Sequence, residues 1–251
     1  MTYSIIARCS DTGAFGGAVG TSSLAVGNRC LHIRHGLGAA LSQHRTDPRL
    51  GEQALALMEK GLGAEAAMAK LVRTPNIGWR QLAILDAEGG IAVHHGDRLY
   101  SIATEAAGDH VVAIGNILAN DRVTAAMLER FEATAGGPLE DRLLAAMAGG
   151  RDAGGEILEP LRSAALRVSG PDGMDRLDLR VDRAEEAVAA LTGLRQAYGD
   201  QEELLRQVAF EPDRVPVARS LFDASVERIG ELGLEGRFDA GSRRGDWTFR
   251  D

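Results

Sequence analysis

Met1-Thr-Tyr-Ser-Ile-Ile-Ala-Arg8, followed after a turn by Phe15-Gly-Gly-Ala-Val-Gly-Thr-Ser-Ser23, is the stretch on which the fold turns. The two runs are β-rich, and Asp11-Thr-Gly13 between them is a turn signal, so they read as a hairpin that opens the main sheet. Gly16, Gly17 and Gly20 keep the second strand thin, which suits close approach of another backbone or of a ligand. Thr2 directly follows Met1, and the second strand ends in the hydroxyl cluster Thr21, Ser22, Ser23. Removal of Met1 would leave Thr2 with a free α-amine beside its hydroxyl, the minimal kit of an N-terminal nucleophile. The plainer reading is an edge hairpin that begins a β-rich domain.

Outward from the hairpin come His32–Arg34, a turn at His35-Gly36, and a small-residue strand over Leu37–Ser42. Short strands joined by tight turns predict antiparallel pairing, not a βαβ unit. Helical periodicity follows, with Ala54, Leu55, Leu57 and Met58 on one stripe after Pro48, then Ala67, Met68, Leu71 and Val72 on a second. Strands are predicted over Gln81–Leu85, Ile91–His95 and Val111–Gly115. A helix from about Asp121 to Thr134 and another over Leu139–Met147 come next, and Gly149–Gly155 reads as a loop. Strands Ala164–Val168 and Leu177–Val181 flank the turn Gly170-Pro-Asp-Gly173, and Ala184–Tyr198 is helical. The order predicts an α+β, four-layer αββα sandwich, with helix pairs outside two antiparallel sheets, over residues 1–198. Residues 199–251 read as a helical appendage, with two helices over 200–234, and a polar tail.

The 251 residues carry 28 Lys and Arg against 36 Asp and Glu, a net charge of −8, with no basic block. That balance argues against nucleic-acid or anionic-membrane surfaces. The start lacks the pattern of a signal peptide and no apolar run is long enough for a span, so a soluble, cytoplasmic chain is expected. The two cysteines, Cys9 and Cys30, do not make a disulfide framework. The pairs His32/His35 and His94/His95 point to opposite faces of a strand and do not chelate unaided, so neither metal nor cofactor is expected. Phosphate-loop, dinucleotide and GxSxG motifs are missing.

The segments Thr2–Arg8, Leu24-Ala-Val-Gly27, Gly36-Leu-Gly-Ala39, Gly115-Asn-Ile-Leu-Ala119, Ser163-Ala-Ala165 and Asp178-Leu-Arg-Val-Asp182 resemble, in order, the DUF1028 family of uncharacterised proteins. The resemblance spans about residues 2–195 and implies an Ntn-hydrolase-like αββα fold, the fold of proteasome β subunits. It implies an N-terminal Thr that serves as nucleophile and, through its amine, as base. Proteasome-type relatives place an acid just after the second strand and a lysine near the next. Here Ser22 takes the acid's position and no lysine precedes Lys60; the nearby cations are Arg29, His32 and Arg34. Arginine can stabilise charge but cannot relay a proton, which weighs against peptidase activity of the proteasome kind.

The candidate catalytic residues are therefore Thr2, Asn116 and Ser22. Asn116 ends a strand where it can donate to an oxyanion, because Asn120-Asp121 is better placed to cap the following helix. Arg29, Ser23, Ser42 and His44 are the candidate substrate-binding residues, His44 with a side chain that titrates near neutrality. Two functions follow. One is an amidohydrolase acting on a small amide or a peptide-like bond of a small molecule or short peptide. The other is a catalytically silent domain that binds a small ligand or mediates assembly. A homo-oligomer is expected in either case.

Overall fold

The computed structural model describes residues 1–158, 160–171, 174–238 and 247–250; the predicted turn at Gly170–Gly173 and the predicted tail lie partly outside them. The chain divides into two compact units, Met1–Arg195 and Gln196–Asp251.

In the first unit, β1 (Thr2–Arg8), β2 (Phe15–Thr21), β7 (Ala103–Gly108), β8 (Val111–Asn116), β9 (Ser163–Ser169) and β10 (Asp175–Val181) make a six-stranded sheet ordered β10-β9-β2-β1-β8-β7. A second sheet, ordered β3-β4-β5-β6, holds β3 (Leu31–Arg34), β4 (Gly38–Gln43), β5 (Gln81–Asp86) and β6 (Ile91–His95). Every pairing in both sheets is antiparallel. The predicted first four strands thus form two hairpins in two different sheets. Period-two alternation on each strand gives every sheet one face toward the other. Ile6, Val19, Ile114 and Ala165 of the larger sheet meet Leu41, Ala83 and Leu85 of the smaller in one buried core.

The outer faces are covered by helices. α1 (Pro48–Glu59) and α2 (Ala64–Leu71) bury Ala54, Leu55, Met58, Ala67 and Met68 against Ala40, Leu82 and Ile84 of the smaller sheet. Pro48 occupies the first turn of α1, and the Asp47 side chain caps it by accepting from the Arg49 amide at 3.2 Å. α3 (Val123–Ala133) and α4 (Leu139–Asp152) pack on the larger sheet. α5 (Ala187–Gly199) buries Ala187, Val188 and Leu191.

Three elements depart from the sequence reading. β7 was not anticipated, because Ala-Thr-Glu-Ala-Ala lacks β-branched bulk; pairing along the whole of β8 makes it a strand. α4 continues five residues past Met147 through Gly149 and Gly150, where a loop was expected. Those glycines are packing positions: a Cβ on Gly149 would lie 2.8 Å from the Ala126 carbonyl of α3, and one on Gly150 would lie 2.8 Å from Met127 and 3.1 Å from the Tyr3 ring. In α5 the apolar stripe Ala187, Val188, Leu191, Leu194 predicts a buried Leu194, which is instead 39% exposed.

On α4, Glu140 is buried and accepts from Arg195 at 2.8 Å and from Arg176. Burial alone would raise its pKa, but the hydrogen bond from Arg176 and the charges of Arg176 and Arg195 outweigh it, and the carboxyl sits below its usual range. A carboxyl lowered on folding adds stability above its unfolded pKa of about 4.3, and loses it as pH falls through the folded value. Glu140→Gln is expected to cost about 2 kcal/mol at pH 7 by removing the buried charge that Arg176 and Arg195 share. In thermal melts across pH, the gap to the parent protein should close below about pH 4.

In the second unit, α6 (Glu202–Phe210) and α7 (Arg219–Glu231) are amphipathic helices. β11 (Val217–Ala218) pairs in parallel with β12 (Phe249–Arg250). Phe222 meets Trp247 and Phe249 edge-on, at centroid distances of 5.8 and 5.3 Å. Among the described residues no helix is long and apolar enough to cross a membrane.

Candidate active site

The inward faces of both sheets turn polar at the same end. On β1 the sequence Thr2-x-Ser4-x-Ile6 places two hydroxyls in line with the core residue Ile6, and on β8 Val112-x-Ile114-x-Asn116 does the same with an amide. The register sets Thr2 opposite Asn116 on one side, and Thr21 opposite Ser163 on the next pair of strands. Tyr3 pairs with Gly20, so Thr2 falls beside Thr21. Ser163, Thr21, Thr2 and Asn116 therefore form one polar rung across four adjacent strands, all buried. The smaller sheet answers with Gln43 on β4 and Gln81 on β5, a directly paired couple.

These groups are joined by hydrogen bonds. Ser4 Oγ donates to Gln43 Oε1 at 2.5 Å, Gln43 Nε2 donates to Gln81 Oε1 at 2.7 Å, and Asn116 Nδ2 donates to the same oxygen at 2.9 Å. Gln81 Nε2 donates in turn to the Gly115 carbonyl at 2.8 Å. One amide thus ties three strands across the core. Asn116 Oδ1 is buried without a partner, and the second hydrogen on its Nδ2 is uncommitted in this network.

Thr2 and Thr21 both donate to the carbonyl of Met1, and their hydroxyl oxygens lie 3.4 Å apart. Beyond them stands Glu156, 1% exposed, whose two carboxylate oxygens accept from the Ser22 amide at 3.3 and 3.2 Å. The end of α4 puts it there. Gly154 and Gly155 take φ of +116° and +58°, the left-handed turn that closes a helix, and the Gly155 amide bonds back to the Gly150 carbonyl at 2.9 Å. The chain then runs antiparallel to the segment after Asn116, with Glu156 bridged to Leu118. The bonds Ala119 N to Gly155 O at 3.0 Å and Ile157 N to Ile117 O at 3.2 Å flank it.

The Met1 α-amine is pushed below its usual range by burial; the charges of Glu156 and Cys30 act in the opposite sense, and Arg29 adds to the lowering. His44 is likewise lowered, chiefly by burial, with the positive N-terminus, Arg45 and Arg80 contributing against its bond to the Trp79 carbonyl. That carbonyl, 2.8 Å from Nδ1, can only accept, so Nδ1 carries the proton of the neutral ring and Nε2 is left as an acceptor. Tyr100 packs edge-on against the same ring at 5.2 Å. Positive φ at His44 (51°), Arg45 (43°) and Ile117 (54°) marks both loops at this end, and for β-branched Ile117 the conformation is costly.

Of the residues singled out from the sequence, Thr2, Asn116 and Ser22 come together here. Arg29 lies alongside, donating to Ser23 Oγ at 2.7 Å and to the carbonyls of Leu24 and Ala25 at 2.6 and 2.9 Å. It therefore shapes the loop that carries Ser22 and Ser23. An open cleft of about 760 Å³ next to that loop is lined by Leu24, Arg162, Arg183, Ala184 and Glu185. His44 reaches the electrostatic surroundings of the N-terminus from the smaller sheet. Ser42 does not join them: alternation turns it to the helix side of β4, where its hydroxyl donates to the Asp47 carbonyl at 2.8 Å. Gln43, one residue on, faces the site instead. Thr21 enters the sequence reading only within the hydroxyl cluster, and Gln43, Gln81 and Glu156 do not enter it as site residues. Strand parity pointed to the first three; for Glu156 only the Gly154-Gly155 pair before it was a signal. Among the described residues no group of three His, Cys, Asp or Glu could hold a metal ion.

The sequence model of a family of unknown function, DUF1028, matches residues 2–191. The crystal structure of a DUF1028 protein from Silicibacter pomeroyi is similar at a TM-score of 0.73 and 33% identity, over 78% of this chain and 85% of that one. Anbu, an ancestral beta-subunit from Yersinia bercovieri, matches at a TM-score of 0.39 and 12% identity, over 82% of this chain and 96% of that one, a likeness too slight to argue from. No curated protein matches.

Proposed function

The chain belongs to the DUF1028 family, whose function is unknown, and we propose that it is an N-terminal-nucleophile amidohydrolase on a four-layer αββα sandwich of Ntn-hydrolase type. One observation carries the reading. Thr2 stands at the first position of β1 with its hydroxyl on the inward face, flanked by Thr21 and Asn116, at the polar end of the inter-sheet core.

After loss of Met1, the Thr2 amine takes the hydroxyl proton as Oγ1 attacks the carbonyl carbon of a small amide or peptide-like bond. The tetrahedral oxyanion accepts from the uncommitted hydrogen of Asn116 Nδ2 and from nearby backbone amides. Collapse expels the leaving amine, which takes the proton from the α-ammonium, and leaves an ester on Thr2. Water, deprotonated by the same amine, then cleaves the ester, releasing the carboxylic acid and restoring the hydroxyl. Ser22, Ser23 and Arg29 shape the wall on the β2 side, and His44 offers an acceptor from the smaller sheet.

The Met1 carbonyl, as the acceptor for both threonine hydroxyls, favours a second reading. A chain that keeps Met1 is a silent domain of the same fold, suited to ligand binding or assembly. Intact mass of protein from its native host decides between them, followed by exposure to a β-lactone acylating reagent and peptide mapping. The first reading expects Met1 lost and a single acyl adduct on residue 2. Retained Met1 with no adduct overturns it.

A further inference from the structure

We infer that Glu156 is the positioning residue for the amine of the nucleophile, the carboxylate that the position just after β2, held by Ser22, does not supply. The inference rests on Thr2 being that nucleophile, and its geometry comes from the sheet register. β1 and β2 pair Tyr3 with Gly20, so the next positions outward set Thr2 beside Thr21 and Met1 beside Ser22. Glu156 places both oxygens within 3.3 Å of the Ser22 amide. Its carboxylate therefore occupies the place toward which a newly made Thr2 amine, the group left where the chain to Met1 is cut, would project.

Three features make Glu156 a built element and not a chance neighbour. It is 1% exposed. Its backbone is pinned on both sides to residues 117–119, the segment that leaves Asn116. The helix-closing turn before it uses two consecutive left-handed glycines. A buried carboxylate held this way accepts a hydrogen bond from an ammonium or a neutral amine, which aims the nitrogen lone pair at the Thr2 hydroxyl. It also offsets the lowering of the amine by burial, the sense already seen for Met1. A base is most effective when its pKa lies near the working pH, so the two opposed effects together suit the task.

Around the Met1 α-amine, one residue out from the Thr2 nitrogen, the charged and titratable groups are Glu156 from the loop after α4, Cys30 and Arg29 from the segment before β3, and His44 from the loop after β4. Of these, Glu156 is the one carboxyl group.

The test uses the full chain, produced behind a cleavable leader so that Thr2 is the first residue. The amine is titrated by competitive acetylation with acetic anhydride, read by mass spectrometry of the N-terminal peptide, in the parent and in Glu156→Gln. Loss of the carboxylate is expected to lower the amine pKa by about one pH unit, a tenfold change in the neutral fraction below it. Any pH–rate profile for acylation of Thr2 should move by the same amount. An amine that titrates identically in both proteins overturns the inference. If Glu156→Gln does not fold, by circular dichroism, then Glu156→Asp is read instead. It keeps the charge but withdraws it by one methylene, and an unchanged amine there likewise overturns the inference. The titration needs no turnover. A shifted amine without any acylation of residue 2 overturns the nucleophile reading alone, whereas acylation with an unshifted amine overturns the role of Glu156 alone.

Discussion

Thr2→Ala is expected to abolish acylation of the N-terminus, and any amide hydrolysis, by at least about 10⁴-fold, the scale seen when a covalent nucleophile is removed. Alanine is small enough to leave Met1 removal intact, so the variant keeps the free amine and loses only the hydroxyl. The structural cost should be slight. The Thr2 hydroxyl touches Thr21 only at 3.4 Å, and its other partner is the carbonyl of Met1, which departs with that residue. A thermal melt within a few degrees of the parent is expected. Thr2→Ser should retain measurable acylation, because it keeps hydroxyl and amine on one residue. Equal acylation of the parent and Thr2→Ala, under conditions where both have lost Met1, would remove Thr2 from the chemistry altogether.

The second large effect is on stability. Gln81→Leu keeps the side-chain volume near that of the parent but deletes the junction of the inter-sheet network. Gln43 Nε2 and Asn116 Nδ2 lose their common acceptor, and the Gly115 carbonyl loses its donor, all in a buried setting. Orphaned buried polar groups cost about 1–3 kcal/mol each, so three of them, partly relieved by the apolar gain of leucine, amount to about 3–5 kcal/mol. For a unit of this size that lowers Tm by roughly 10 °C. The transition followed should be that of the first unit, since two compact units need not melt together. Asn116 is also released from the bond that aims it, so acylation of Thr2 should fall with stability. Loss of acylation without a lower Tm would show that Gln81 orients Asn116 but does not hold the sheets. A melt and an acylation rate both equal to the parent's would show that the network is not formed in solution.

The contrast between Gln81 and Ser42 shows where a reading from sequence succeeds and where it stops. Both lie at the polar end of the smaller sheet. Counting in twos along β4 and β5 shows that Gln43 and Gln81 share faces with the apolar residues Leu41 and Ala83, and that Ser42 does not. That arithmetic needs the strand assignment and the identity of the inward face. Antiparallel pairing predicted from tight turns does not assign the two opening hairpins to different sheets, and without that the inward faces stay undefined. A single hairpin pattern is equally compatible with pairing onto a neighbour or with stacking over it, because main-chain hydrogen bonding does not say which sheet a hairpin joins. The extension of α4 through two glycines has the same cause. Glycine disfavours a helix locally, and only the close approach of α3 and of the Tyr3 ring makes it the residue that fits.

Local chemistry alone determined a good deal: an opening hairpin, Thr2 at the first position of its first strand, the helical stripes of α1 and α2, and Asn116 at a strand end. These are written in nearest-neighbour terms of turn residues, periodicity and side-chain type, and they survive whatever the rest of the chain does. The tertiary structure alone decided that the polar ends of β1, β2, β8 and β9 lie in one rung over Gln43 and Gln81. It alone decided that a carboxylate 134 positions along the chain accepts from the Ser22 amide. Neither has a local signature. Long-range strand register and the direction in which a helix-closing turn sends the chain are set by how two sheets and their covering helices bury one another, and the acid arrives with that burial.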